Sequence, residues 1–124
     1  MPLSFSEQKK ILQKKNPSDL TPFKLHSEEI DENNFVTVIT PKFRNKLLQK
    51  FILPKMKNKH FKIELDKFGS FIWLNINGKN SAADIINISS QHFGDEINPA
   101  DERVGIFLYQ LFENKLISFS EVNQ

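Results

Sequence analysis

Apolar residues along the chain fall into short stretches whose period changes with position. Phe35-Val36-Thr37-Val38-Ile39 crowds β-branched side chains into five positions, the densest strand signal in the chain. Over 23–30, Phe23, Leu25 and Ile30 are separated by polar residues, and Asp31-Glu32-Asn33-Asn34 has the composition of a turn. The spacing predicts a hairpin whose strands cover 23–30 and 35–39. Pro41 closes the second strand. His60-Phe61-Lys62-Ile63-Glu64-Leu65 then alternates with period two and places Phe61, Ile63 and Leu65 on one side, as in a half-buried strand.

Beyond Leu65 the period becomes helical. Asp66 can cap a helix carrying Phe68, Phe71, Ile72 and Trp73, closed near Gly78. Ser81 and Asp84 have capping-box spacing ahead of a helix with Ile85, Ile86 and Ile88, and Gly94 supplies its stop. Asn98-Pro99 reads as cap and first helical position of a third helix. There Val104, Phe107, Leu108, Leu111 and Phe112 follow i, i+3, i+4, i+7, i+8, and Asn114 or Lys115 ends the run before a short strand at Leu116–Phe119. Two further helices are predicted earlier. Residues 4–15 have Ser4 and Glu7 at capping-box spacing, and 43–53 carry Phe43, Leu47, Leu48, Phe51 and Ile52 opposite a cationic face. The chain thus divides into an N-terminal arm or short helix over 1–22 and one domain over 23–124, with a basic insert at about 42–59.

Length and composition fit one small core: 124 residues, 39% apolar, with twelve Phe. Trp73 and most of the Phe set belong to that core. The net charge of +2 conceals +6 over residues 1–60 and −4 over 61–124. Lys42, Arg44, Lys46, Lys50, Lys55, Lys57, Lys59 and Lys62 form a run with no acid between them. Because Lys dominates, this run reads as a solvated helix face rather than a phosphate-reading surface.

Candidate chemistry is sparse. The chain has no Cys, which excludes disulfides, thiolate metal sites and thiol nucleophiles. His26, His60 and His92 lie too far apart for a local metal motif, and no Ser–His or carboxylate constellation emerges. Gly69 and Gly105, isolated in helical context, are explained by close helix packing. The expectation is therefore a protein that is not an enzyme, with no cofactor and no metal. No apolar run reaches signal-peptide or membrane-spanning length, so a cytoplasmic location without membrane association is expected.

The run Leu65-Asp66-Lys67-Phe68-Gly69-Ser70-Phe71-Ile72-Trp73, with Asn77-Gly78-Lys79, Ala83-Asp84-Ile85, His92-Phe93-Gly94, Phe107-Leu108, Leu111 and Leu116-Ile117, resembles the PqqD-like family. These are small proteins related to pyrroloquinoline quinone biosynthesis protein D. The resemblance covers about residues 60–119. It implies an α+β, winged-helix-like fold with a small antiparallel sheet of about three strands and three C-terminal helices. It also implies a non-catalytic peptide-binding module, or ribosomal peptide recognition element. Such a module binds the leader of a ribosomally made precursor as an added strand and presents it to a modifying enzyme, often a radical S-adenosylmethionine protein.

Carried onto this chain, the peptide-binding edge is His60, Phe61, Lys62, Ile63, Glu64 and Leu65. The third helix forms the facing wall, with Arg103, Ile106, Tyr109 and Gln110 as candidates for the groove or solvent. Ile63→Pro is expected to remove an edge hydrogen-bond donor and weaken peptide binding, or else to unfold the strand. The extra arm and basic insert depart from the compact family pattern. Two other classes remain: a winged-helix DNA-binding regulator, and an inert structural or oligomerisation domain. Residues 99–115 carry a net charge of −1, the wrong sign for a helix entering DNA, so no nucleic-acid partner is expected. Exposed strands also allow a homodimer that exchanges the N-terminal hairpin.

Overall fold

The first ordered element already bears on the arm. In the computed structural model, which describes residues 3–41 and 60–122, helix α1 covers Phe5–Gln13. The Ser4 hydroxyl accepts from the Glu7 amide at 3.2 Å and the Glu7 carboxylate accepts from the Ser4 amide at 3.0 Å, the expected capping box. The arm packs on the domain: Phe5 stacks on Phe112 with ring centres 5.0 Å apart, and Lys9 pairs with Glu113 at 2.9 Å. The helix expected over 43–53, and with it the basic insert, lies outside the described residues.

The single strand expected over 23–30 is instead two. Strand β1 (Pro22–Lys24) and β2 (Ser27–Ile30) join different sheets. The break follows from where the backbone finds partners. Leu25 donates to the Leu116 carbonyl at 3.0 Å, in line with β1, whereas β2 turns toward β3 (Val36–Pro41). Glu28 pins the corner, its carboxylate accepting from Lys24 Nζ at 2.7 Å and from Trp73 Nε1 at 2.9 Å. The β2–β3 turn is built as its composition suggests. Asp31 accepts from the amides of Asn33 and Phe35, and Asn34 takes the left-handed conformation at φ 67°. Strand β4 (His60–Glu64) pairs antiparallel with β3 and completes a three-stranded sheet of order β2-β3-β4.

Helix α2 (Lys67–Leu74) begins under the Asp66 carboxylate, which accepts from the Gly69 amide at 2.8 Å. It ends at Asn75 rather than near Gly78, because Asn75 donates back to Ile72 and the chain then leaves the helix. Gly78, at φ 78°, serves a different contact, its amide reaching the Pro22 carbonyl of β1 at 3.2 Å. Helix α3 (Ala82–Phe93) has the reciprocal Ser81–Asp84 box and stops at Gly94.

Helix α4 (Ala100–Glu113) starts one residue later than expected. Pro99, at φ −78° and ψ 115°, is extended and occupies the cap position itself, and the Asn98 side chain donates to Asp95 instead of capping. The chain then enters β5 (Ile117–Phe119), which pairs antiparallel with β1. Among the described residues the fold is α+β: four helices, the expected three-stranded antiparallel sheet, and a second, two-stranded sheet joining the two ends of the domain. Trp73, Ile85, Val104 and Phe112 lie at its centre, and Val36 and Val38 bring β3 into the same core.

The two helical glycines differ. A Cβ on Gly69 would stand 3.0 Å from Phe107 Cζ, so α2 and α4 do pack closely there. A Cβ on Gly105 would meet nothing within 4 Å, so helix packing does not account for it. In a helix interior, Gly costs about 0.5–1 kcal/mol relative to Ala.

Candidate functional site

Strand β4 is one of the two edges of the three-stranded sheet, and the phase of its ladder decides which of its groups face outward. Leu65 donates to the Val36 carbonyl at 2.9 Å, and the register pairs Ile63 with Val38 and Phe61 with Thr40. Hydrogen-bonded pairs alternate along an antiparallel ladder, so the N–H and C=O of Phe61 and Ile63 are turned to β3. The N–H and C=O of Lys62 and Glu64 point the other way, where β4 has no neighbouring strand among the described residues. Ile63 is therefore a ladder residue and not an edge donor, which corrects the expectation for Ile63→Pro. Side chains follow the alternation read from the sequence. Ile63 and Leu65 are half-buried, while Lys62 and Glu64 are exposed, with Lys62 reaching Glu29 of β2 at 3.5 Å.

Where β4 ends, a cavity of about 270 Å³ opens between α2 and α4. Phe68, Ile72, Ile97 and Phe107 supply an apolar floor, and Asp66, Arg103 and Gln110 supply polar groups at its rim. Arg103, Ile106, Phe107 and Gln110 come together because i, i+3, i+4 and i+7 share one face of a helix. The Arg103 guanidinium lies over the Phe68 ring at 5.7 Å, and Phe68 meets Phe93 edge-on at 4.7 Å. Ile106 is 59% exposed, an apolar side chain held at the mouth. One acid and one base line the cavity, so it suits a segment presenting an apolar side chain flanked by hydrogen-bonding groups.

The structure thus brings Arg103, Ile106 and Gln110 to one cavity that adjoins the Leu65 end of the edge. Tyr109 is not among them. It lies around the helix, facing α1, with its hydroxyl on Glu113; that bond, then Lys9, holds the Glu113 carboxyl below its ordinary range, and the Tyr109 hydroxyl is raised in turn by Glu113. The floor residues Phe68, Ile72 and Phe107 were legible in the sequence only as core. The isolated Gly69 beside them was the one available sign of a close approach.

Among the described residues, no group of three or more His, Cys, Asp or Glu is placed to hold a metal ion. His26 Nε2 lies 3.1 Å from the Lys115 carbonyl, and His92 stacks on Phe71 at 4.2 Å. No helix among these residues is long and apolar enough to cross a membrane.

Comparison with known families bears on the same stretch of chain. Residues 57–117 match the family model of coenzyme PQQ synthesis protein D (PqqD). Over that stretch the chain is PqqD-like. Neither a curated protein nor a solved structure matches it significantly. The PqqD-like stretch begins just before β4 and ends on the first residue of β5, so it contains the whole edge strand and every residue of the 270 Å³ cavity. Helix α1 and strands β1, β2 and β3 lie outside it.

Proposed function

We propose that this chain is a non-catalytic, PqqD-type peptide-binding module acting in the cytoplasm. It takes the leader of a ribosomally made precursor peptide as a fourth strand on β4 and presents it to a separate modifying enzyme, of radical S-adenosylmethionine type. The observation that carries this reading is the juxtaposition, within the PqqD-like stretch, of an edge strand with no outer neighbour among the described residues and an apolar-floored cavity. Main-chain bonds to Lys62 and Glu64 give affinity that is indifferent to sequence, and a side chain seated among Phe68, Ile106 and Phe107 gives selectivity. The acidic first turn of α4, where Asp101 and Glu102 are both exposed, speaks against a DNA-reading helix.

Titration of isotope-labelled full chain with leader peptides from precursors encoded beside its gene tests the reading. The amides of Lys62 and Glu64 and the signals of Arg103, Ile106 and Gln110 are expected to move together. Silence at all of these positions with every such peptide would overturn it.

A further inference from the structure

The opposite side of α4 carries a second and larger cleft, of about 520 Å³, open to solvent on one side and bordered by α1, the turn at Pro17–Asp19, α3 and α4. It shares no residue with the cavity beside β4. Leu12, Leu20, Ile86, Leu108 and Phe119 supply its apolar walls, and Gln13 and Ser18 add neutral polar groups. Gly105 stands on its α4 side, and there a side chain would enter open space. A helix-interior glycine that nothing in the protein crowds is accounted for when something else approaches the backbone closely.

The charges around this cavity are already answered. Lys9 is paired with Glu113, and Asp101 sits at the positive end of α4, where its carboxylate accepts from the Glu102 amide. An ionic guest would find no uncompensated partner. The Tyr109 ring and the aliphatic walls favour an apolar body, and the volume falls in the range of small-molecule clefts, roughly 300–1,000 Å³.

We infer that this cavity is a binding site for a neutral, largely apolar small molecule, packed against the α4 backbone at Gly105. The inference does not depend on the peptide-binding reading, because it concerns a different face of the helix.

N-phenylnaphthylamine, an uncharged dye that brightens on leaving water, is the probe. The full chain is expected to bind one dye per molecule in a saturable manner. Gly105→Leu fills the cavity while improving helix propensity, and is expected to weaken the dye by about tenfold or more. Leu25→Ala, which removes an exposed apolar side chain elsewhere, is expected to leave dye affinity unchanged. No saturable binding by the wild type, equal affinity in a folded Gly105→Leu protein, or an equal loss in both variants overturns the assignment. Methyl spectra of the wild type decide independently of any variant. Dye-induced shifts centred on Leu12, Ile86 and Leu108 support the site, and shifts centred elsewhere overturn it.

Discussion

Glu28 is a single carboxylate that holds three parts of the molecule at once: Lys24 at the end of β1, its own strand β2, and the fully buried Trp73 of α2. The Lys24 bond keeps its carboxyl below the ordinary range, helped by the Trp73 indole and opposed by burial. A depressed folded pKa contributes stability that is present above the ordinary carboxylate value and lost as pH falls through the folded one. Urea unfolding followed through Trp73, the one tryptophan, is therefore expected to show a stability loss on acidification that is smaller in Glu28→Gln. Glu28→Ala also strands the indole N–H and is expected to cost about 1–3 kcal/mol at neutral pH. The two helical glycines give a second comparison. Gly105→Ala is expected to stabilise by about 0.5–1 kcal/mol, since nothing opposes the new methyl. Gly69→Ala has to displace the Phe107 ring and is expected to lose that gain or reverse it, and thermal melts of both variants measure the difference.

Elements with strong local signals were legible in the sequence: the capping boxes at Ser4 and Ser81, the Asp66 cap, the Asp31 turn and the period-two alternation of β4 all formed as their residues suggest. What escaped were features set by distant partners. Phe23, Leu25 and Ile30 carry no sign that the backbone divides at 25–26, because the choice lies with Leu116 and Trp73. Ladder phase is equally silent, since alternation tells which side chains share a face but not which amides meet β3. The phase has a measurable consequence. Lys62→Pro removes an outward donor and leaves the β3–β4 ladder intact, as edge strands tolerate. It is expected to keep the fold and weaken leader binding. Ile63→Pro breaks the ladder and is expected to destabilise the sheet, so amide exchange in β3 rises for Ile63→Pro and not for Lys62→Pro. Of the candidate site, the resemblance pointed to the third helix, and Arg103, Ile106 and Gln110 of that helix line one cavity. Tyr109 lines the other cavity, beside α1, and the position of α1 on that side of the helix leaves no local trace in the sequence.

For the whole molecule, the PqqD-like stretch is not a self-sufficient unit. β3, the sole ladder partner of β4 among the described residues, lies before it, and so do Val36 and Val38, which are almost wholly buried. Leu20 from the N-terminal side, and Phe119 and Val122 from beyond the stretch, complete the same core. Residues 57–117 expressed alone are accordingly expected to give the poorly dispersed amide spectrum of an unfolded chain, whereas the full chain gives a dispersed one. A dispersed spectrum from the fragment would contradict this account.

The β1–β5 pair carries a consequence for how the protein is made. Pro22 meets Phe119 and Lys24 meets Ile117, so a strand near the start of the chain finds its partner only after the whole intervening domain has been synthesised. On the ribosome β1 has nothing to pair with, and closing so long a loop belongs late in folding. The β1–β5 ladder and the Leu25–Leu116 bond therefore form only after residues 116–119 have emerged. A nascent chain passes through a stage in which β2 and β3 can already pair while the two-stranded sheet is still open.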